Sequence, residues 1–186
     1  MLTCSAMPSL RFREVTKATR TDFEKLFTSK GAPSYCWCMA WRDLANHQQA
    51  SNGERKQAMM DRIAAGTPVG ILAYRDDEPV GWCSVAPRET CRKLSPGQDD
   101  TETGIWSIVC FYVPRPLRGG GLSIALLEAA IEHAFARGAT AVEAYPVDEA
   151  SPSYRFMGFR KLFDTRGFRE TGRAGSRRYV MRLERS

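Results

Sequence analysis

The sequence contains one segment whose residue types and spacing suit the binding of a phosphate group, Arg118-Gly-Gly-Gly-Leu-Ser123. Consecutive glycines allow a backbone to approach a ligand closely and to adopt positive φ angles. The segment follows an apolar run, 105–113, and precedes residues 122–137, whose apolar positions have helical spacing. Unpaired N–H groups and the dipole at a helix start attract anions. The unit therefore predicts a pyrophosphate site, to which Arg118 adds a charge and Ser123 a hydroxyl.

Two common phosphate loops do not match this segment. A Walker loop needs Gly-Lys-Ser/Thr, which is absent here, and Gly-x-Gly-x-x-Gly fails because position 124 is Ile. A glycine-rich turn without any ligand is the remaining alternative, and the strand and helix predicted on either side argue against it.

The elements that must position this segment follow from periodicity and turn chemistry. Capping-box spacing at Thr21–Glu24 and Ser51–Glu54 predicts helix starts, the second helix reaching about residue 65. The segment 35–44 is aromatic and cysteine-rich, and we expect it to be helical. Alternating β and α patterns predict an α/β fold: a single domain with a mixed sheet and helices on both faces. The predicted strands are 10–15, 69–74, 80–86, 105–113, 140–145, 168–173 and 178–183, and the later helices are 122–137 and 157–166.

Composition favours an ordinary globular protein: 43% of residues are hydrophobic and 26% are charged. No apolar run reaches the ~18 residues of a membrane span, and residues 1–8 lack a signal-peptide pattern, so we expect a cytoplasmic protein with no membrane partner. We expect residues 1–9 to be flexible. The net charge of +6 is concentrated after residue 155. This basic region is compatible with a polyanionic cofactor, with nucleic acid or with a solvated face.

The six cysteines are too sparse for a disulfide scaffold and are expected to be reduced thiols. Cys36 and Cys38 would supply only two metal ligands, and no Cys/His pair stands at zinc spacing, so no metal is expected.

The glycine segment, read with its flanks as Val113-Pro-Arg-Pro-Leu-Arg118-Gly-Gly-Gly121-Leu-Ser123, resembles the signature of the GNAT superfamily of N-acetyltransferases. Ser123 stands where that signature has Gly or Ala. The resemblance implies a sheet that splays between the strands at 105–113 and 140–145, with acetyl-CoA held between them as co-substrate. It also implies which residues bind that co-substrate: Phe111, Tyr112 and Val113 at the pantetheine and acetyl group, and Arg118, Gly119, Gly120, Gly121, Leu122 and Ser123 at the pyrophosphate.

GNAT enzymes often carry Tyr-x-x-x-Gly-Phe, whose tyrosine protonates the departing thiolate, and two frames compete for this motif here. Tyr154-Arg-Phe-Met-Gly158-Phe159 keeps the tyrosine, whereas Phe163-Asp-Thr-Arg-Gly167-Phe168 has phenylalanine in its place. The second frame has the better distance to the last strand, and Tyr154 is then a loop residue that still serves as the candidate acid.

Amine acetylation also needs a base, because a protonated amine cannot attack a thioester, and a carboxylate is the usual choice. Glu143 and Asp148 lie near the open ends of the central strands and are the candidates. The alternatives are a salt bridge for Glu143 and a turn for Asp148.

The segment Cys36-Trp-Cys-Met-Ala-Trp-Arg42 resembles, together with Ala144-Tyr-Pro-Val-Asp148, a bacterial GNAT subgroup. The resemblance to GNAT enzymes implies that the helices after the first strand form one wall of the acceptor site. The candidates for acceptor contact are Tyr35, Trp37, Trp41 and Arg42, with core packing of the aromatic side chains as the alternative.

The resemblance implies an N-acetyltransferase that moves an acetyl group from acetyl-CoA to a primary amine by direct attack in a ternary complex. The acceptor is expected to be a small molecule or a peptide, nucleic acid is not expected, and the protein is expected to be a monomer or homodimer. The alternatives are a non-catalytic acyl-CoA-binding module, another acyl donor and an aminoglycoside-type acceptor.

Overall fold

Seven strands form one mixed sheet in the computed structural model, which describes residues 10–185. The prediction of flexibility for residues 1–9 lies outside this range. The order across the sheet is β1-β2-β3-β4-β5-β7-β6. The strands are β1 (Leu10–Glu14), β2 (Ile71–Arg75), β3 (Glu78–Pro87), β4 (Ile105–Tyr112), β5 (Ala141–Ala144), β6 (Arg169–Ala174) and β7 (Arg178–Glu184). The helices are α1 (Arg20–Thr28), α2 (Asn52–Ala65), α3 (Leu122–Ala136) and α4 (Arg160–Asp164).

The sheet splays between β4 and β5, as the resemblance implied. These two strands pair in parallel only from Ile105↔Ala141 to Ile108↔Ala144. On its other side β4 stays paired with β3 as far as Trp82↔Tyr112. The second half of β4 therefore presents one backbone edge without a neighbouring strand.

Among the described residues, the two largest of three hydrophobic clusters lie on the two faces of the sheet, which confirms the predicted fold class. One core joins α1 and α2 to the sheet and is centred on Phe23, Phe27 and Trp82. The ring centroids of Phe23 and Phe27 lie 5.7 and 5.3 Å from that of Trp82, in edge contacts. The other joins α3 and α4 to the opposite face through Leu126, Leu127 and neighbouring apolar residues. Within residues 10–185, the structure contains no helix with the length and apolarity of a membrane span.

Capping-box spacing predicted one helix start correctly and misplaced another. Ser51 and Glu54 form a reciprocal capping box at the start of α2. The predicted box at Thr21 is wrong, because Thr16 and Thr19 form the box instead. It caps a 3₁₀ turn that leads directly into α1, so the helix begins before Thr21.

Backbone conformation explains two further differences from the sequence-based expectation. Trp37 and Cys38 adopt left-handed φ angles of 46° and 51°, so the segment 35–44 contains only a 3₁₀ turn, Met39–Trp41, rather than an α-helix. The last helix starts at Arg160 instead of residue 157, because Gly158 (φ 90°) and the extended Phe159 interrupt the chain. Both predicted hairpins, β2–β3 and β6–β7, are confirmed.

Candidate active site

A cavity of about 720 Å³ opens beside the second half of β4, where that strand has separated from β5. Four stretches of chain line it: the segment after α1, the end of β4, the start of α3 and the loop that leads into α4. The cavity brings together seven of the predicted site residues, namely Tyr35, Trp41, Phe111, Tyr112, Val113, Arg118 and Ser123.

The glycine segment has the local geometry that its sequence predicted. Gly119 and Gly121 have φ angles of 83° and 78°, and Leu122 begins α3 immediately afterwards. Within the described chain, the backbone N–H groups of residues 119–123 have no hydrogen-bond acceptor. Arg118 donates from Nε to the Val113 carbonyl at 2.9 Å, which ties the loop to the end of β4. Gly119, Gly120, Gly121 and Leu122 adjoin the cavity in sequence but do not line it. Because unpaired N–H groups at a helix start attract anions, this loop has the donors that a pyrophosphate requires.

The order of the elements decides between the two tyrosine-motif frames. Gly167 and Phe168 directly precede β6, and Phe163 lies on the preceding helix α4. Phe163 is fully buried, and its ring packs edge-on against Phe111, with 6.2 Å between the ring centroids. Phe163, the first residue of the second frame, is therefore a core phenylalanine, which cannot donate a proton.

Tyr154 lies in the loop before α4, next to the cavity wall. It has a left-handed φ of 59° and is 37% exposed. Its ring centroid lies 6.3 Å from that of Trp41, which lines the cavity, and 6.3 Å from that of Phe156. Tyr154 is thus close to the cavity, although its own side chain is not part of the lining.

Glu143 is buried and held by charged and polar neighbours away from the cavity lining. Arg88 Nη1 lies 3.1 Å from both Glu143 carboxylate oxygens, and Tyr145 donates its hydroxyl to Oε2 at 2.7 Å. Burial and the adjacent Glu143 raise the pKa of Tyr145 well above its ordinary value, so that hydroxyl stays protonated and donating. The salt-bridge alternative for Glu143 describes the geometry that is present.

Asp148 is exposed and accepts a hydrogen bond from the Tyr179 hydroxyl, with both carboxylate oxygens at 3.0 Å. It is not among the residues that line the cavity. The arrangement couples the loop after β5 to β7 and leaves Asp148 without direct access to the cavity.

Two of the four expected acceptor contacts lie in the core instead. Trp37 is 3% exposed, and its ring stacks on Phe27 with 5.6 Å between centroids. Arg42 is 1% exposed and donates to the carbonyls of Cys38 and Val69 and to Ser84 Oγ. Their polar and apolar requirements are met within the fold, so only Tyr35 and Trp41 of this set reach the cavity.

Several lining residues were not predicted from the sequence. Cys38 and Cys110 both line the cavity, with 3.2 Å between their Sγ atoms, and burial raises the pKa of the Cys38 thiol. Arg155 and Phe156 line it from the loop before α4. The sequence signal that could have indicated Arg155 and Phe156 was the aromatic and basic composition of the C-terminal third. Between Leu10 and Arg185, no group of three or more metal-ligating side chains is clustered, and the expectation of no metal stays a prediction.

The model of the acetyltransferase (GNAT) family matches residues 17–159, more than half of the chain. The chain belongs to the GNAT family. Family membership supports acyl transfer in general as the activity of this protein. A search of curated protein sequences finds no matching relative.

Solved structures show that the GNAT fold extends over nearly the whole chain. An N-acetyltransferase from Staphylococcus aureus Mu50 is 13% identical with a TM-score of 0.56, covering 95% of this chain and 98% of its own. The ribosomal-protein-alanine N-acetyltransferase from Brucella melitensis is 20% identical with a TM-score of 0.56, covering 94% and 99%. The PaiA N-acetyltransferase from Thermoplasma acidophilum, solved in complex with coenzyme A, is 10% identical with a TM-score of 0.57, covering 95% and 99%. At these identities the likeness concerns the fold alone.

Proposed function

We propose that this GNAT protein is an N-acetyltransferase that transfers an acetyl group from acetyl-CoA to a primary amine. The observation that supports the proposal best is the cavity beside the unpaired edge of β4. Arg118 and Ser123, the two ends of the anion-binding loop (residues 118–123), lie in its wall. The reaction is assigned to the cytoplasm and to a monomer or homodimer.

The co-substrate is assigned to the gap between β4 and β5. The N–H groups of residues 119–123 bind the pyrophosphate, because they are donors without acceptors in the described chain. The Arg118 guanidinium adds its charge, and its Nε is held by the Val113 carbonyl. The pantetheine arm runs along the backbone of Phe111–Val113, whose edge facing β5 is not paired. The solved PaiA complex shows that a protein of this fold accommodates coenzyme A.

The chemistry needs an unprotonated amine, a polarised thioester carbonyl and a leaving thiolate. The amine nitrogen attacks the carbonyl carbon, the C–S bond breaks, the amine loses a proton and the thiolate gains one. Tyr154 is the proposed acid because it is the phenol beside Trp41 at the cavity wall. Among residues 10–185 no carboxylate lines the cavity. The proton of the incoming ammonium therefore passes to solvent water, and Glu143 and Asp148 position neighbouring elements.

An amine panel with thiol release as the readout tests the proposal, in parallel with calorimetric titration of acetyl-CoA. Binding together with amine-dependent thiol release supports acetyl transfer. Binding without release for any amine would favour the non-catalytic acyl-CoA-binding module. Stronger release with a longer acyl-CoA than with acetyl-CoA would reassign the donor, and failure to bind any acyl-CoA would contradict the site itself.

A further inference from the structure

The part of the cavity wall that faces the acceptor is aromatic, and the charges in the wall are positive. Arg118 and Arg155 are the only charged side chains in the lining of the described chain. A site for polyamines or aminoglycosides, which carry several positive charges, would need carboxylates at this wall. The aminoglycoside alternative therefore loses its electrostatic support.

The three large aromatic side chains that are exposed in the described chain all lie in or beside this wall. Tyr35, Tyr154 and Phe156 are 67%, 37% and 41% exposed, and the remaining large exposed hydrophobic residue is the aliphatic Ile124. Tyr35 and Phe156 line the cavity, and Tyr154 packs beside Trp41 and Phe156. Clustered exposed apolar surface marks a binding site, and rings prefer to pack against other rings. The body of the acceptor is therefore expected to be apolar and aromatic.

Arg178 places a positive charge beside the rings of Trp41 and Tyr154. It is the first residue of β7 and is half-buried, with its guanidinium 4.4 Å from the Trp41 ring centroid and 5.2 Å from that of Tyr154. Its Nη1 donates to the Leu94 carbonyl at 3.0 Å. Burial lowers the pKa of the guanidinium below its ordinary value.

Within the described chain neither Arg178 nor Arg155 has a carboxylate partner, unlike three other arginines of the C-terminal third. Arg160, Arg166 and Arg182 each form an ion pair with Asp or Glu. Arg155 donates only to the carbonyls of Glu149 and Ser151, and its guanidinium lies over the Phe159 ring. A guanidinium presents five N–H donors in a planar fork that suits a carboxylate. Donors therefore remain on both side chains for an anionic group of a ligand.

We propose that the amine acceptor is an aromatic α-amino acid, whose carboxylate binds Arg178 and Arg155 and whose ring packs on Trp41 and Tyr154. The assignment rests on the proposed acetyl transfer and specifies its substrate class. In this arrangement one molecule supplies the carboxylate that the two arginines lack and the apolar surface that covers the exposed rings. Its α-amine is the nucleophile that attacks the acetyl carbonyl at the β4 edge.

The test compares acceptors that differ in one group, using thiol release from acetyl-CoA. L-Phenylalanine and L-tryptophan are compared with phenethylamine, which lacks the carboxylate, with L-alanine, which lacks the ring, and with spermidine and kanamycin. A phosphonate analogue of phenylalanine tests whether any anion serves in place of a carboxylate. A site built for a hydrogen-bonded group discriminates strongly against a ligand without it, so kcat/KM for L-phenylalanine should exceed that for phenethylamine at least ~100-fold.

Arg178→Met is the diagnostic variant, and Arg177→Met is its matched control. Arg177 is adjacent and exposed, and its one side-chain hydrogen bond within the described chain is to Ser153 Oγ. Arg178→Met should remove most of the preference for L-phenylalanine over phenethylamine while leaving the Kd for acetyl-CoA unchanged. Arg178→Lys should retain part of the preference, and Arg177→Met should leave it unchanged.

The outcomes separate this inference from the proposed function. Equal kcat/KM for L-phenylalanine and phenethylamine in the wild-type protein, or a preference for spermidine or kanamycin, would overturn the acceptor assignment and leave acetyl transfer intact. A higher kcat/KM for the phosphonate than for L-phenylalanine would overturn the assignment of a carboxylate and indicate a phosphate-like group on the acceptor. Thiol release with none of the amines would overturn both. The wild-type comparison needs no variant, so it decides the question even if Arg178→Met fails to fold.

Discussion

Arg88 and Glu143 form a buried ion pair in which one guanidinium nitrogen, Nη1, lies 3.1 Å from each carboxylate oxygen. Their side chains are 5% and 8% exposed. The Nη2 atom of the same guanidinium donates to the carbonyls of Asp99 and Glu102, so the pair also anchors the long loop before β4. The pair joins that loop to β5, one of the two strands that splay at the cavity.

The first prediction concerns the stability that this pair provides. Glu143→Gln removes the buried carboxylate beside Arg88 and leaves only the more exposed Glu102, at 3.6 Å from Nη2, as a counter-charge. Breaking a buried pair costs about 3–5 kcal/mol. We expect the free energy of unfolding to fall by that amount in urea titrations. The control is Glu78→Gln at the exposed Lys25–Glu78 pair, where about 0.2–1 kcal/mol is expected.

The same variant tests the assignment of the base. If Glu143 only positions β5 and the loop, the folded fraction of Glu143→Gln retains its kcat near that of the wild type. Unchanged stability together with a large loss of kcat would identify Glu143 as the base after all.

The second prediction concerns the anion-binding loop. Gly120 has no positive φ, and a Cβ placed on it would have Leu117 O as its nearest neighbour at 3.8 Å, so Gly120→Ala adds a methyl group without backbone strain. That methyl group crowds the N–H groups assigned to the pyrophosphate. We expect the Kd for acetyl-CoA to rise at least ~10-fold by calorimetry, about 1.4 kcal/mol, with little change in thermal stability.

Gly97→Ala is the matched control for this loop, because Gly97 also lacks a positive φ and a Cβ there meets no atom within 4 Å. It should leave both affinity and stability unchanged. Gly121→Val should weaken binding further, although its φ of 78° adds strain. Wild-type affinity in both Gly120→Ala and Gly121→Val would place the co-substrate elsewhere.

The third prediction concerns the group that protonates the thiolate. General acid assistance increases a reaction rate roughly 10²–10⁴-fold. A thiol with an ordinary pKa also leaves in part as the thiolate without assistance, so the expected effect is at the lower end. If Tyr154 is the acid, Tyr154→Phe lowers kcat at least ~10-fold and leaves the Kd for acetyl-CoA unchanged. Steady-state kinetics with thiol detection measures kcat, and calorimetry measures the Kd.

Phe163→Tyr completes this comparison. Phe163 Cε2 and Cζ lie 2.8 and 3.3 Å from where a Gly158 Cβ would stand, so the ring edge is tightly packed. A hydroxyl there should overfill the core and cost about 1–3 kcal/mol of stability without raising kcat. A higher kcat in Phe163→Tyr, with an unchanged kcat in Tyr154→Phe, would show that Tyr154 has no acid role.

The fourth prediction concerns stability against pH. Burial lowers the pKa of His133 in the folded protein, and this effect outweighs the nearby Glu14, whose Oε1 lies 3.9 Å from Nε2. The unfolded chain therefore binds a proton at this site more readily than the folded one does. Stability should be lost as pH falls through the ordinary histidine pKa of about 6.5.

Urea midpoints between pH 7.5 and pH 5.5, followed by tryptophan fluorescence, measure this loss. The His133 ring packs edge-on against Trp106, with 5.6 Å between centroids, so the probe is adjacent to the titrating group. His133→Gln should reduce the decline across this range. An identical decline in the wild type and the variant would assign the pH dependence to other groups.

Features that depend on a few neighbouring residues were predicted from the sequence. The Ser51–Glu54 capping box, the two hairpins and the strand, glycine loop and helix around Arg118–Ser123 are all present. Each is determined by contacts between residues at most a few positions apart, or by the backbone freedom of glycine. The resemblance to GNAT enzymes added the splay of β4 and β5, which no local pattern indicated.

Features that depend on distant partners required the tertiary structure. Trp37 and Trp41 are four positions apart, yet left-handed residues between α1 and the 3₁₀ turn direct Trp37 into the core and leave Trp41 at the cavity. Glu143 meets Arg88, 55 positions away, and Arg178 reaches Leu94, 84 positions away. Residue type alone determined that these side chains carry charge. Packing decided which charges are neutralised within the fold and which remain available to a ligand, because the partner of a buried charge is set by how distant segments meet.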